Sequence, residues 1–169
     1  MALTKVAKLV TCSMPSITYK QTVSPTSYQY IGKNETCDIE KTKNIAARIA
    51  SYESVPSNSE EALQKAVSMQ PVTAGIEGGG MAFRHYSSGV FSGGCGMSLD
   101  HGVTVVGFGE NEYGIEYWLV KYSWGQNWGE GGYMRIRKNV GFPQGLCGIA
   151  MYASYPVVQP SLGIWLYMY

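Results

Sequence analysis

The sequence lacks the features that place a protein in a membrane or on nucleic acid. It contains no run of about 18 apolar residues, so no segment is long enough to span a bilayer as a helix. Its 13 basic and 12 acidic residues give a net charge of +1, so we expect neither nucleic acid nor an anionic membrane as a partner. Only 15% of the residues are charged and 45% are hydrophobic, which is enough apolar mass for a sizeable core.

Cysteine and histidine are also scarce. The four cysteines stand far apart in the chain, at Cys12, Cys37, Cys95 and Cys147. None forms a CxxC pair and there are only two histidines, so we expect no metal site and no cofactor. Disulfide bonds in an oxidising compartment explain the cysteines better. Lys5 and Lys8 interrupt the apolar residues near the N-terminus, so we expect no signal peptide there.

Glycine and tyrosine are abundant, with 21 and 13 residues, and this favours β-rich architecture. Strand-like runs are predicted at 72–77, 103–108, 116–121 and 133–137, and Gly78-Gly79-Gly80 breaks the chain after the first. Their spacing predicts an antiparallel sheet or small barrel with one helix packed against it.

One helix is predicted after Pro56, and residues 46–55 before it are interpreted as extended. Ser57 with Glu60 three residues later forms a capping-box pattern, and acidic residues in the first turn suit the helix dipole. One face of this segment carries the recurring apolar residues Ala62, Leu63, Ala66 and Val67. That spacing predicts an amphipathic helix that ends before Pro71.

His101 is the residue best suited to chemistry. It lies in Ser98-Leu99-Asp100-His101-Gly102-Val103-Thr104, where a predicted strand begins. Because histidine titrates near neutrality, a side chain held there can act as a general base. A core histidine satisfied by hydrogen bonds is the alternative that the residues alone leave open. His85 has no such context and is interpreted as structural.

Seven stretches, in a fixed order, carry a resemblance to a known family. They are Tyr30–Asp38, Ala62–Val67, Gln70–Val72, Tyr86–Phe91, Leu99–Val103, Trp124–Glu130 and Cys147–Met151. Over about residues 27–156 the chain resembles the C-terminal half of papain-like cysteine peptidases, most closely the plant members. The resemblance implies an α+β fold: a mainly antiparallel, barrel-like β lobe with one short helix, the histidine lobe of a two-lobed enzyme. We expect residues 1–26 to be a divergent leader and residues 157–169 an apolar tail.

The resemblance also implies roles at the active site. His101 matches the general base that pairs with the nucleophilic cysteine. The family's third residue, an asparagine that orients the histidine, is replaced by Tyr122, which we expect not to function in its place. The family's Cys-Gly-Ser-Cys-Trp-like nucleophile segment matches nothing in these residues. Cys12, followed closely by Pro15, is not expected to substitute for it.

Four further positions match the family's substrate-binding region. Gly75, Gly102 and Tyr152 match the walls of the pocket on which selectivity depends, and two glycines would leave that pocket open. Trp124 matches a tryptophan that the family packs over the bond between histidine and asparagine.

The remaining cysteines match structural positions in the family. Cys95 and Cys147 match a family disulfide. Cys37 matches a cysteine whose partner lies in the other half, and a pairing with Cys12 stays open.

The resemblance therefore implies a hydrolase, a thiol protease that acts on peptide or protein substrates in the vacuole or lysosome or outside the cell. Without the nucleophile and the asparagine, we expect the chain as it stands to be an inactive fragment. One alternative is a non-catalytic pseudoenzyme that binds peptides, inhibitors or an active peptidase. Another is an enzyme that a separate N-terminal lobe completes.

Overall fold

The computed structural model describes residues 21–23, 36, 38–43 and 45–158. These residues fall into two units. One is Ser54–Tyr155, and the other takes the described residues on either side of it. None of the helices in the described ranges is long and apolar enough to cross a membrane.

The described residues before Ser54 form two strands, a one-turn helix and the start of a third strand. They are β1 (Gln21–Val23), α1 (Ile39–Thr42), β2 (Ile45–Arg48) and β3 (Ser51–Ser54), and β1 pairs with β2 in antiparallel fashion. The extended segment predicted over 46–55 is therefore confirmed as β2 and β3.

The predicted helix is α2, Glu60–Met69, but the residue that caps it differs from the prediction. Ser59, not Ser57, is the N-cap, and its Oγ accepts the N–H of Ala62 at 3.1 Å. The capping box fails because Glu60 is the first helical residue and its carboxylate bonds elsewhere in the fold. The predicted apolar face is confirmed, and its buried members are Leu63, Ala66 and Val67.

The rest of the chain adds six strands, one more single-turn helix and a 3₁₀ turn. In chain order they are β4 (Val72–Ile76), α3 (Met81–Arg84), β5 (Val90–Phe91), β6 (His101–Glu110), β7 (Glu116–Lys121), β8 (Tyr133–Arg137), the 3₁₀ turn Leu146–Gly148 and β9 (Ala153–Val157). The four predicted strands are confirmed as β4, β6, β7 and β8. The strand at 103–108 is longer than predicted and starts at the histidine.

These strands form one sheet in the order β9-β4-β6-β7-β8-β5. Every pairing from β9 to β8 is antiparallel, and only β5 lies parallel to its neighbour β8. The fold is therefore α+β with a mainly antiparallel sheet, as predicted. Helix α2 packs against β4 and β6.

The core lies where the sheet meets α2. Alternate residues of β4 are buried, as half-buried strands require. The largest fully buried side chains include Trp118, Phe83, Leu63, Ile76, Met134 and Ile136. The predicted disulfide between Cys95 and Cys147 is present and joins two loops across 52 positions of sequence. The core and this crosslink together fix the edge of β4 and β6 where the histidine lies.

Candidate active site

His101 is the first residue of β6, and the sheet determines its place. It pairs with Ile76 at the end of β4, and the preceding N–H, that of Asp100, donates to the Ile76 carbonyl at 3.1 Å. Val103 and Val105 follow on the buried face of the strand. The buried valines of β6 therefore fix the position of His101 at the start of the strand.

Two aromatic rings surround the imidazole of His101. The ring of Tyr122 stacks on it with centroids 4.6 Å apart and planes inclined by 20°. The indole of Trp124 lies 6.2 Å away at 48°. The Nε2 atom of His101 is buried. Tyr122 therefore presents its ring face, not a polar group, to the histidine.

The hydroxyl of Tyr122 bonds away from the histidine. It donates to the carbonyl of Gly78 at 2.9 Å. Burial, and after it the negative charge of Asp100, raise the pKa of the Tyr122 phenol well above its ordinary value. The phenol is therefore a neutral hydrogen-bond donor at physiological pH.

Two tryptophans hold the Tyr122 ring from its other sides. Trp124 meets it edge-on at 4.6 Å and Trp128 lies tilted at 4.4 Å, and the two indoles are 5.2 Å apart. Trp128 is itself fixed, because its Nε1 donates to the carbonyl of Phe83 at 3.0 Å. Trp124 packs here on a tyrosine and a histidine, and 40% of its surface stays exposed.

The glycine turn after β4 completes the surroundings of His101. The Asp100 carboxylate accepts the N–H of Gly78 at 2.7 Å and that of Gly79 at 3.2 Å. A Cβ at Gly78 would lie 2.7 Å from the Tyr122 Oη, which is too close for any real contact. Sequence reasoning treated these glycines only as a chain break and assigned Asp100 no role. The Asp-His step next to a glycine run was the signal available.

A second carboxylate organises the loop that leads into β6. Glu77 accepts the N–H of Gly96 at 2.9 Å and the N–H of Ser98 at 2.7 Å. Its own N–H donates to the carbonyl of Cys147 at 3.0 Å. The loop before His101 is thus fixed by Glu77 as well as by the disulfide.

The predicted pocket residues lie near one another. Gly75 pairs with Gly102 across β4 and β6, and the Gly75 N–H donates to the Tyr152 carbonyl at 2.8 Å. A Cβ at Gly102 would meet nothing within 4 Å, whereas one at Gly75 would lie 3.2 Å from Leu99 Cδ1. The Tyr152 side chain is 71% exposed. The substrate-binding role of these residues stays a prediction.

Three other predictions concern residues away from the site. Cys12 and Cys37 lie outside the described residues. His85 follows α3 and is exposed. Within the described ranges, no group of three His, Cys, Asp or Glu side chains could hold a metal ion.

Comparison with known proteins adds a family match. The family described as papain family cysteine protease matches residues 10–157, a range that begins within the segment predicted as a leader. The senescence-specific cysteine protease SAG12 of Arabidopsis thaliana is 56% identical over 132 residues, which are 78% of this chain and 38% of that protein. Vignain of Ricinus communis is 50% identical over 135 residues, which are 80% of this chain and 38% of that protein.

Solved structures agree in fold. The bromelain protease of Ananas comosus in complex with the E64 inhibitor matches with a TM-score of 0.77 and 41% identity, over 83% of this chain and 64% of that one. The proform of the ragweed pollen allergen Amb a 11 matches with a TM-score of 0.76 and 47% identity, over 81% of this chain and 42% of that one. The chain thus spans well under half the length of these curated relatives and of this proform.

Proposed function

The chain belongs to the papain family of cysteine proteases, and from that premise we propose that it supplies the histidine half of a thiol protease site. His101 is the general base of that site, and peptides or proteins are the substrates of the assembled enzyme. The position of His101 at the start of β6, beside Trp124, supports this role. A histidine in such a place needs a thiol within hydrogen-bond reach to lower a barrier.

These 169 residues do not hydrolyse peptide bonds by themselves. The observation that carries this proposal is the contact of Tyr122, whose hydroxyl donates to Gly78 and whose ring face covers His101. The side-chain carbonyl that orients the histidine in the family therefore has no counterpart in Tyr122. In a catalytic triad, disabling the orienting group lowers kcat by about 10⁴.

The cysteines support the same conclusion. Cys95 and Cys147 are bonded to each other, so neither supplies a thiolate. The sequence holds no Cys-Gly-Ser-Cys-Trp-like segment at which a nucleophile would be expected. Cys12 is not a substitute, because Pro15 and the absence of a following aromatic residue separate its context from that motif.

A peptidase assay tests the proposal. The purified chain is incubated with a short fluorogenic peptide, with and without a thiol alkylating reagent, and we expect no turnover in either case. In a second arm, a separately made N-terminal lobe of a relative is added to the wild type and to Tyr122→Asn. If peptide turnover appears in this arm, we expect it only with Tyr122→Asn. Alkylation-sensitive turnover by the unmodified chain alone would overturn the proposal.

A binding role is the second candidate, and the exposed side chains beside the site favour it. Trp124 is 40% exposed and Tyr152 is 71% exposed, and a Cβ at Gly102 would meet nothing within 4 Å. Such a surface would hold a peptide, an inhibitor or an active peptidase without cleaving it. Calorimetric titration with an uncleavable peptide tests this role. If Trp124→Ala and Tyr152→Ala bind the peptide with the same affinity as the wild type, the binding role is contradicted.

The location that we propose is the vacuole or lysosome or the outside of the cell. The disulfide between Cys95 and Cys147 supports an oxidising compartment, because cytosolic thiols are kept reduced. Localisation of the tagged native protein in its source tissue would test this.

A further inference from the structure

Tyr122 contacts its surroundings at both ends of its side chain. Its ring face stacks on the imidazole of His101 at 4.6 Å, with the two planes only 20° apart. Its hydroxyl, at the far end, donates to the Gly78 carbonyl at 2.9 Å. A ring that is fixed at the hydroxyl and packed on its face cannot rotate without breaking one of these contacts.

The group that receives the hydroxyl is itself tied to the histidine. Gly78 donates its N–H to Asp100 at 2.7 Å, and Asp100 is bonded through the backbone to His101. The contacts therefore close a ring of four residues: His101, Tyr122, Gly78 and Asp100. The gap at Gly78 is just wide enough for the phenol, because a Cβ there would lie 2.7 Å from the Tyr122 Oη and 3.2 Å from the His101 Cβ.

The indoles prevent Tyr122 from moving away from the histidine. Trp128 and Trp124 lie 4.4 Å and 4.6 Å from the phenol ring. Trp128 is hydrogen-bonded to the backbone of Phe83, whose own ring is 6.2 Å from that of Tyr122. The phenol is therefore enclosed by aromatic groups and has one hydrogen-bonded anchor, a rigid surface for the imidazole to lie on.

We infer that Tyr122 is a positioning residue that sets the plane of the His101 imidazole through its ring face. The inference rests on the proposed role of His101 as the base. An orienting asparagine both fixes the ring plane and offers an acceptor to the ring N–H. Tyr122 fixes the plane of the imidazole by stacking on it, while its hydroxyl donates a hydrogen bond to the Gly78 carbonyl. The site thus holds the His101 imidazole in a defined plane although the orienting amide of the family is replaced by a phenol.

Proton NMR of the purified full chain tests this directly, because the protein has only two histidines. The His101 imidazole stacks on the Tyr122 ring, so we expect its Hε1 signal to lie upfield of the signal of the exposed His85. Tyr122→Leu removes the ring current, and the His101 signal moves downfield towards that of His85. Tyr122→Phe keeps the ring and loses the hydrogen bond to Gly78. We expect the His101 signal of this variant to lie between those of the wild type and Tyr122→Leu. Tyr133→Leu removes a ring whose face the Lys121 Nζ of the adjoining strand approaches at 5.7 Å, and it leaves the His101 signal in place.

A reactivity measurement complements the spectra. The buried Nε2 of His101 should react slowly with diethyl pyrocarbonate in the wild type, and faster in Tyr122→Leu, while His85 reacts at one rate in both. Each variant is first checked for the amide dispersion of a folded protein. Tyr122→Phe differs by one oxygen atom and keeps the test usable if the leucine variant does not fold.

The glycine provides an independent arm. A Cβ at Gly78 would lie 2.7 Å from the phenol oxygen and 3.2 Å from the His101 Cβ, so we expect Gly78→Ala to shift the His101 signal. The double variant Gly78→Ala with Tyr122→Phe removes the closer of these two contacts, so we expect its signal to differ less from that of Tyr122→Phe than the signal of Gly78→Ala differs from that of the wild type. Gly102→Ala is the matched control, since its Cβ would meet nothing within 4 Å although it adjoins His101.

The outcomes separate this inference from the proposed function. An unmoved His101 signal in Tyr122→Leu overturns the positioning role and leaves the inactive chain as proposed. Peptide turnover by the unmodified chain overturns the inactivity and leaves the spectral result standing.

Discussion

Tyr122 and Gly78 fit together only because residue 78 has no side chain. The hydroxyl of Tyr122 occupies the space that a Cβ would need, so the two positions depend on each other. Asn at 122, with a shorter side chain, would not reach the Gly78 carbonyl and would leave the turn without this bond. At the scale of single residues, Tyr122 therefore contacts the turn as well as the histidine.

Glu130 shows how a single carboxylate joins separate parts of the chain. Its oxygens accept from the Nε of Arg135 at 2.9 Å and from the Nη2 at 2.5 Å, and also from the N–H of Gly89 at 2.8 Å. The hydrogen bond from Arg135 is the main reason why the pKa of Glu130 lies below its ordinary value. The charged form is thus the one that the fold stabilises.

This lowered pKa predicts a stability change on acidification. A carboxyl whose folded-state pKa is depressed stabilises the protein above its ordinary pKa, and that contribution is lost as the pH falls through the folded-state pKa. We expect the unfolding free energy of the wild type to fall more steeply than that of Glu130→Gln below the ordinary carboxyl range. Urea unfolding from neutral to acidic pH measures this, with Glu110→Gln as an exposed control. Parallel curves for the wild type and Glu130→Gln would contradict the prediction.

Among the elements, α2 has two possible N-caps, Ser57 and Ser59. Ser57 and Glu60 have the spacing of a capping box, but the Glu60 carboxylate accepts from the Trp118 indole at 2.7 Å and from the Asn139 N–H at 2.9 Å. In a capping box, Glu60 would be the third helical residue and would accept the N–H of Ser57. Its carboxylate instead accepts from Trp118 and Asn139. The helix then starts at Glu60, and Ser59 becomes the cap.

Replacement of each serine distinguishes the two caps. Ser59→Ala removes the acceptor of the Ala62 N–H and should lower the unfolding free energy by about 1 kcal/mol, the usual effect of losing a cap. Ser57→Ala should have little effect, because Ser57 is exposed and lies two residues before the cap. Chemical denaturation of both variants measures the difference. A larger loss in Ser57→Ala than in Ser59→Ala would restore the capping-box interpretation.

At the scale of the whole molecule, the disulfide and Glu77 tie the loop before β6 to the 3₁₀ turn. Cys95 bonds to Cys147, and the Glu77 N–H donates to the carbonyl of the same Cys147. The crosslink acts mainly on the unfolded chain, whose loop of 52 positions it closes.

Removal of this crosslink predicts a large loss of stability. In the chain-entropy treatment, closing a loop of this size contributes about 4 kcal/mol. We expect the double variant Cys95→Ser with Cys147→Ser to unfold at a markedly lower urea concentration than the wild type. The reduced wild type is the matched control and should behave like the variant. Equal midpoints for the variant and the oxidised wild type would show that the bond adds no stability.

Resemblance and local pattern together predicted much of the site. His101, Trp124 and Cys147 lie in stretches that match the family, the predicted disulfide between Cys95 and Cys147 is present, and His101 begins a strand as expected. Asp100 and Gly78 were not predicted as part of the site. Their contribution is a hydrogen bond from the Gly78 N–H to the Asp100 carboxylate across 22 positions of sequence, and no local sequence pattern predicts such a bond.

The sequence by itself determined α2 and the strands β4, β6, β7 and β8, because the apolar face of the helix and the apolar runs of the strands are local patterns. It also determined that residue 122 is a tyrosine, and the resemblance predicts that this residue stands at the position of the family's asparagine. Only the tertiary structure decided where that tyrosine bonds, since its acceptor Gly78 lies 44 positions away. It likewise decided the cap of α2, since Trp118, which holds Glu60, lies 58 positions away. A hydrogen bond between distant residues depends on the packed geometry of the whole sheet, and that geometry exists only once the chain has folded.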